Sequence, residues 1–109
     1  MFSLTKFYVL IALMNRPLHI YAIYRQIPFD SGHSFFVSYP GVRNAVATLL
    51  EAGYIETAHS VMLYQHPRQG ATYKVNHAGI RRLKSELTNY RLAIAAASIR
   101  LGQLPPWLT

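Results

Sequence analysis

The sequence contains no cysteine, which excludes disulfide bridges and metal sites built from thiolates. Acidic residues are also few, with four Asp and Glu against eleven Lys and Arg, and this leaves little material for carboxylate catalysis. The longest apolar run covers residues 7–14, and a membrane-spanning helix needs ~20 apolar residues. These absences argue against an enzyme, a disulfide-linked scaffold and a membrane-spanning chain.

The histidines offer no metal site either. No short-spaced pair on one helix face occurs among His19, His33, His59, His66 and His77. The sequence also has no glycine-rich phosphate loop and no nucleophile elbow. We therefore predict that the protein is not an enzyme and holds no metal or other cofactor.

Positive charge is what the chain has in excess. The 109 residues carry a formal net charge of +7, and eight of the eleven basic residues are arginine. This balance favours a polyanionic partner, either nucleic acid or an acidic membrane surface. Length and hydrophobic content predict one compact unit, with a binding part at residues 1–76 and a helix with a tail at residues 77–109. Because no small-residue cleavage site follows the apolar run at residues 7–14, we predict a cytoplasmic protein.

Residues 38–55 organise the rest of the chain. Ser38 is suited to cap a helix, Pro40 to its first turn and Gly53 to its end. Helical spacing predicts one buried stripe of Val42, Val46, Leu49 and Leu50. The opposite face carries Arg43, Asn44, Ala47 and Thr48. Such a face can enter a DNA groove; the alternative is an ordinary amphipathic helix whose outer face meets water.

Two helices and a hairpin surround this stretch. The first helix is predicted from Ser3 to about Asn15 and the second from about His19 to Pro28, followed by a loop at 29–34 and a β-prone segment at 35–37. Strands are predicted at 54–64 and 71–76 around a turn-rich tip at 65–70. A basic helix followed by a two-stranded β-hairpin wing is a winged helix-turn-helix, so the predicted class is α+β, mainly α.

A long last helix is predicted from its cap at Asn76 to a stop at Gly102, before an extended tail at 104–108. Its apolar residues step by three and four: Ile80, Leu83, Leu87, Tyr90, Ile94, Ala97 and Leu101. A seam of this length is more than the domain can cover, so we predict a dimerisation helix that packs on a second copy of the chain. The alternative is a helix packed wholly on its own core.

These residues resemble the PadR family of winged-helix transcriptional regulators. The family's Pro-Leu-His-Gly-Tyr-x-Ile signature is similar to residues 17–23, and its Pro-Gly helix start resembles Pro40-Gly41. Its Leu-x-x-x-Gly-Leu-Ile motif is similar to residues 49–55, and its Tyr-x-Leu-Thr-x-x-Gly motif to residues 73–79. The resemblance covers about residues 4–90 and implies a homodimeric repressor on a two-fold-related operator in double-stranded DNA.

The chain departs from the family pattern on the surface that would touch DNA. Ile20 replaces a usual glycine, Arg43-Asn44 stands where a Tyr-Pro pair is common, and residues 65–70 replace a Gly-Arg-Pro-rich loop. Two other functions therefore stay open. One is a winged-helix factor in replication or in plasmid or phage maintenance, and the other is a winged-helix protein-interaction module.

The resemblance and the helix geometry together predict the site residues. Arg43, Asn44 and Thr48 would face the major groove, while Tyr39 would help to position a phosphate. The hairpin would contact the DNA backbone or minor groove through His66, Arg68, Gln69 and Lys74. Lys6 would add a further phosphate contact.

The resemblance also implies a small planar aromatic effector held between two subunits. The aromatic residues that would line such a site are Phe7, Tyr8, Tyr90 and Trp107. The alternative for Trp107 is that it docks the tail onto its own dimer.

Overall fold

The computed structural model describes residues 2–58 and 70–108. Its elements in chain order are α1 (Leu4–Ala12), β1 (Leu18–His19), α2 (Ile20–Asp30), α3 (Tyr39–Ala52), β2 (Ile55–Thr57), β3 (Thr72–Val75), α4 (His77–Gly102) and a 3₁₀ turn (Pro106–Leu108). The predicted α+β class, mainly helical with a long last helix, is confirmed.

The core lies where α1, α2 and α3 pack on one another. Its largest fully buried side chains come from all three helices and from α4: Leu10, Leu13, Ile23, Ile27, Leu49, Leu83, Val9, Val42 and Val46. The predicted stripe on α3 is confirmed for Val42, Val46 and Leu49, and Leu50 is half-buried. Burying this stripe leaves the opposite face of α3 to solvent.

The predicted helix caps are confirmed. Ser3 Oγ accepts the Lys6 N–H at 3.2 Å, Ser38 Oγ accepts the Gly41 N–H at 3.1 Å, and Asn76 Oδ1 accepts the Gly79 N–H at 2.9 Å. Each bond satisfies a donor that a helix leaves unpaired in its first turn. Gly53 ends α3 with a φ of 79°, a left-handed conformation that glycine adopts without a steric penalty.

Two helix ends differ from the prediction. The first helix ends at Ala12, before Asn15. The second begins at Ile20 with His19 as its cap, in agreement with the prediction. The prediction that Pro28 ends α2 is wrong, since the helix runs to Asp30. The N–H that Pro28 lacks would serve one helical hydrogen bond, and beyond it the Ser31 N–H still reaches the Ile27 carbonyl at 3.0 Å.

Residues 35–37 form no strand, although their composition is β-prone. Ser31 Oγ accepts the Phe35 N–H at 3.1 Å and donates to the Phe35 carbonyl at 3.2 Å. Because this hydroxyl binds both backbone groups of Phe35, the segment is held as a loop.

The sheet has three antiparallel strands in the order β1-β3-β2. The predicted hairpin pairing is confirmed, with Ile55 opposite Val75 and Thr57 opposite Tyr73. Strand β1 was not predicted. It places Leu18 opposite Tyr73 and is only two residues long. The outer part of the predicted first strand and its tip, residues 59–69, lie outside the described residues.

A tight junction joins the end of α3 to the start of α4. A Cβ atom added at Gly79 would overlap the carbonyl oxygen of Tyr54 and lie 2.6 Å from Val75 Cγ2. The Arg82 guanidinium lies 4.6 Å from the centroid of the Phe2 ring and pairs with Glu86 at 3.0 Å. The close approach at Gly79 and the Arg82 contact with Phe2 fix the first turns of α4 against the domain.

The far end of α4 extends away from the core, and the molecule measures 64 × 26 × 21 Å. The helix includes Gly102, which was predicted to stop it, and Gln103 is its C-cap. The tail is not extended as predicted. The Leu108 N–H donates to the Pro105 carbonyl at 2.9 Å, which closes the 3₁₀ turn.

Candidate nucleic-acid interface

The outer face of α3 is polar, basic and open to solvent. Arg43, Asn44, Ala47 and Thr48 are all exposed on it. The Thr48 hydroxyl donates to the Asn44 carbonyl at 3.0 Å, so its proton is already used within the helix. The Arg43 guanidinium and the Asn44 amide project from the same face as the groups able to pair with base edges.

Arg43 rests on an aromatic ring. Its guanidinium carbon lies 5.3 Å from the centroid of Tyr39, the first residue of α3. The Tyr39 ring meets Tyr24 of α2 edge to face, with centroids 5.8 Å apart and planes at 78°. Tyr21 follows, 6.1 Å from Tyr24. The N-terminal end of α3 is therefore bordered by three tyrosines and one arginine.

Sequence reasoning overlooked Tyr21 and assigned Tyr24 only to the buried stripe of α2. The two residues are three apart, so on a helix they share a face. Tyr24 is half-buried and packs on the core, whereas Tyr21 is 53% exposed. The spacing of Tyr21 and Tyr24, on the helix that precedes the one carrying Arg43, was the sequence feature that could have indicated an aromatic border beside Arg43.

Lys74 lies exposed on β3, opposite Glu56 of β2. Its ammonium is 3.3 Å from the Glu56 carboxylate, with both side chains about half exposed (49% and 53%). This pair is open to water and weak, so Lys74 can exchange its carboxylate for a phosphate. The other hairpin residues predicted to contact DNA, His66, Arg68 and Gln69, lie outside the described residues.

Lys6 lies toward the other end of α3. Its ammonium is 5.9 Å from the centroid of the Phe2 ring, and that ring packs edge-on against Tyr54 with centroids 6.2 Å apart. Tyr54 follows the C-terminal end of α3, about 20 Å from Tyr39 at a rise of 1.5 Å per residue. The structure does not bring Lys6 together with Tyr39 and Arg43, so it would contact a different phosphate.

Most cations of the described residues have no acid within 4 Å. Within residues 2–58 and 70–108 two ion pairs occur, Lys74–Glu56 and Arg82–Glu86. The other cations in these ranges are Lys6, Arg16, Arg25, Arg43, Arg81, Lys84, Arg91 and Arg100. The same ranges contain no cluster of His, Cys, Asp or Glu that could hold a metal ion. Among the described helices, none has the length and apolarity to cross a membrane.

The structure divides the predicted dimerisation residues into two groups. Leu83 is only 2% exposed in the core of its own protomer, and Ile80, Leu87 and Tyr90 are half-buried. Farther along, Ile94 is 65% and Leu101 64% exposed, and Ala97 is also exposed. The last turns of α4 also expose Leu92 and Ile99, which lie on nearly the opposite face at 3.6 residues per turn.

The residues predicted for an effector site are not gathered in one protomer. The Phe7 ring is buried and lies 4.9 Å from Tyr90 and 5.5 Å from Tyr8, measured between centroids. Trp107 is 79% exposed beyond the end of α4. Gly102 is about 18 Å past Tyr90 along the helix, at 1.5 Å per residue. In the described structure Trp107 therefore lies apart from the other three rings.

No family model matches the sequence, and no curated protein matches it either. Several solved structures are similar to this one in fold. A PadR family transcription regulator from Clostridium difficile R20291 superposes with a TM-score of 0.74 at 15% identity, covering 91% of this chain and 99% of that one. A transcriptional regulator from Clostridium thermocellum gives a TM-score of 0.72 at 18% identity, with 86% of each chain covered.

Bacillus subtilis PadR, in a crystal structure with operator DNA, gives a TM-score of 0.66 at 16% identity. The match covers 78% of this chain and 48% of PadR, so this chain matches about half the length of that protein. All three structures superpose on most of this chain despite the low identity. The chain therefore has the fold of the PadR family of transcriptional regulators.

Proposed function

We propose that the protein binds double-stranded DNA as a homodimer and regulates transcription, acting as a repressor by occupying a two-fold-related operator. The observation that carries this proposal is the solvent-facing side of α3, where Arg43 and Asn44 are exposed and Arg43 has no acid within 4 Å among the described residues. The solved complex of PadR with operator DNA supports the same use of this fold. In this proposal the protein acts by binding DNA, with no catalytic step.

In the proposed complex α3 enters the major groove. Arg43 pairs with guanine and Asn44 with adenine, each through two hydrogen bonds. Tyr39, at the start of α3, positions a phosphate. On the wing, Lys74 releases Glu56 and contacts the DNA backbone, together with His66, Arg68 and Gln69. Lys6 contacts a separate phosphate.

The proposed dimer forms through α4. A groove of about 490 Å³ lies between the end of α1 and α4, and it is lined by Met14, Ile80, Leu83, Lys84, Leu87, Thr88 and Arg91. The exposed Ile94 and Leu101 of a second chain supply apolar side chains to cover such a surface. Leu83 and Arg82 anchor the start of α4 to the core, so we expect the partner to contact mainly the second half of the helix. In this proposal residues 1–76 bind DNA and residues 77–109 bind the partner subunit. A dimer would also allow Trp107 of one subunit to join the Phe7, Tyr8 and Tyr90 rings of the other in the effector site.

The proposal is tested by selecting bound duplexes from a random pool and then titrating the selected and a scrambled duplex at several salt concentrations. We expect a two-fold-related site and a steep loss of affinity with salt. Arg43→Ala should weaken binding to the selected site by about 1–3 kcal/mol. Arg100→Ala, an exposed arginine near the far end of α4, is the matched control and should bind both duplexes nearly as the wild type does.

Two results would contradict the proposal. Binding that is absent even in dilute buffer would exclude a role on DNA and favour a protein-interaction module. Equal losses on both duplexes for Arg43→Ala would remove base reading by α3 while leaving non-specific DNA binding.

A further inference from the structure

We propose that Tyr24 is a positioning residue for base recognition, because it holds Tyr39, and Tyr39 holds the guanidinium of Arg43. This inference rests on the proposed function, since it assigns a role in reading DNA to a residue of α2. It adds a determinant of specificity that lies outside the helix that enters the groove.

The first step is the contact between Arg43 and Tyr39. The guanidinium carbon lies 5.3 Å from the ring centroid, within the ~6 Å over which a cation is attracted to an aromatic face. No carboxylate among the described residues lies within 4 Å of Arg43. The Tyr39 ring is therefore the described group that limits where this exposed side chain points.

The second step is what holds Tyr39. It is half-buried at the first position of α3, and the edge contact with Tyr24 has a centroid distance of 5.8 Å and an interplanar angle of 78°. This is the arrangement that the quadrupoles of two aromatic rings favour. Without Tyr24, the Tyr39 ring would lose its described aromatic neighbour on the side of α2.

The third step is what holds Tyr24. Its ring packs against the hydrophobic core, and the adjacent Ile23 and the later Ile27 of α2 are fully buried. The position of Tyr24 is thus fixed by the domain interior. A continuous set of contacts leads from the core of α2 through two rings to the guanidinium on α3.

The consequence concerns specificity more than affinity. An arginine that reads guanine must present two N–H groups in one plane and direction, whereas a phosphate contact accepts many directions. A side chain already held near its bound orientation loses less rotamer freedom on binding. Tyr24 should therefore strengthen binding to the selected site and leave binding to unrelated DNA unchanged.

The test compares Tyr24→Leu with Tyr24→Phe. Leucine keeps apolar bulk on the core but removes the ring edge, while phenylalanine keeps the ring. We expect Tyr24→Leu to weaken binding to the selected duplex by roughly 2- to 30-fold, the range of one cation–π contact. The affinity for a scrambled duplex and the salt slope should stay as in the wild type, and Tyr24→Phe should retain the selectivity. Thermal unfolding checks that both variants fold.

A double variant separates positioning from general damage to α2. In an Arg43→Ala background, Tyr24→Leu should cause no further loss of discrimination, because the group it positions is gone. An equal additional loss in that background would overturn the proposal, as would unchanged selectivity in the single variant or a Tyr24→Phe protein as impaired as Tyr24→Leu.

A readout without DNA keeps this inference distinct from the proposed function. NMR relaxation of the Arg43 Nε–H group in the free protein should show a more mobile side chain in Tyr24→Leu than in the wild type and in Tyr24→Phe. If the wild type selects no duplex, the proposed function fails while this measurement still reports whether Tyr24 orders Arg43. Equal mobility in all three proteins would refute the positioning role.

Discussion

The side-chain amide of Asn76 donates a hydrogen bond to the carbonyl of Gly53 at 2.8 Å, across 23 residues of sequence. Its Oδ1 accepts the Gly79 N–H at 2.9 Å, and its backbone N–H donates to the Tyr54 carbonyl at 3.3 Å. One residue thus caps α4 and ties it to the end of α3. The helix proposed to read DNA and the helix proposed to bind a partner are joined at this point.

We expect Asn76→Ala to lower the free energy of unfolding by about 1–3 kcal/mol, because it removes the cap of α4 and the bond to Gly53. Asn76→Asp keeps an acceptor for the cap but loses the donor to Gly53, so its stability should lie between those of the alanine variant and the wild type. Urea denaturation of the three proteins measures the order. An aspartate variant no more stable than the alanine variant would contradict the separate roles of the two side-chain atoms.

Gly79→Ala should be among the most damaging small substitutions in the chain. The added methyl would overlap the Tyr54 carbonyl, a backbone group that also accepts the Asn76 N–H. We expect a loss of roughly 1–3 kcal/mol from overpacking. Gly102→Ala is the matched control in the same helix, since nothing lies within 4 Å of its added Cβ. It should be neutral or stabilising by up to ~1 kcal/mol, and equal losses in both variants would refute the contact.

His19 has a capping role that its residue type does not suggest. Its Nδ1 accepts the Ala22 N–H at 3.2 Å at the start of α2, while its backbone belongs to β1 and pairs with Thr72. We expect His19→Ala to cost about 0.5–2 kcal/mol, the value of a lost N-cap. His19→Asn supplies a different acceptor and should recover most of this loss. Chemical denaturation compares them, and an alanine variant as stable as the wild type would exclude the cap.

The partner surface is tested by two substitutions that are matched in exposure. Ile94 is 65% and Leu92 66% exposed, but two residues apart on a helix they point about 200° apart. In the proposed dimer Ile94→Lys would bury an unpaired charge and should give a monomer, whereas Leu92→Lys should remain dimeric. Sedimentation equilibrium measures both masses. Two monomeric or two dimeric variants would be inconsistent with a contact on the Ile94 face.

The helices were predictable because local signals agree along them. Three independent features predict α3: the cap at Ser38, the stop at Gly53 and the apolar stripe from Val42 to Leu49. The structure has the helix between Ser38 and Gly53, with that stripe buried. The predicted end of α2 at Pro28 was wrong because the missing N–H of proline affects one hydrogen bond, and the following turn closes without it. β1 was not predictable, since a two-residue strand has too few residues for an alternating pattern.

The candidate site was only partly predictable. Helical spacing was enough to expect Arg43 and Asn44 on the open face of α3, where they lie. The contact from Tyr24 to Tyr39 depends on how α2 packs against α3, which spacing within either helix does not encode. Likewise, the pairing of Lys74 with Glu56 depends on the register of two strands.

Because Asn76 ties the start of α4 to the end of α3, the length of α4 fixes the distance from the domain to the partner subunit in the proposed dimer. Each residue of the helix adds 1.5 Å and turns the chain by 100°, so inserting one residue between the anchored first turns and Ile94 would swing the partner subunit around the helix axis. Inserting seven residues would return the partner to nearly the same side, about 10 Å farther away. If the proposed dimer forms, the number of residues between Arg82 and Ile94 therefore sets the separation of the two half-sites proposed in DNA.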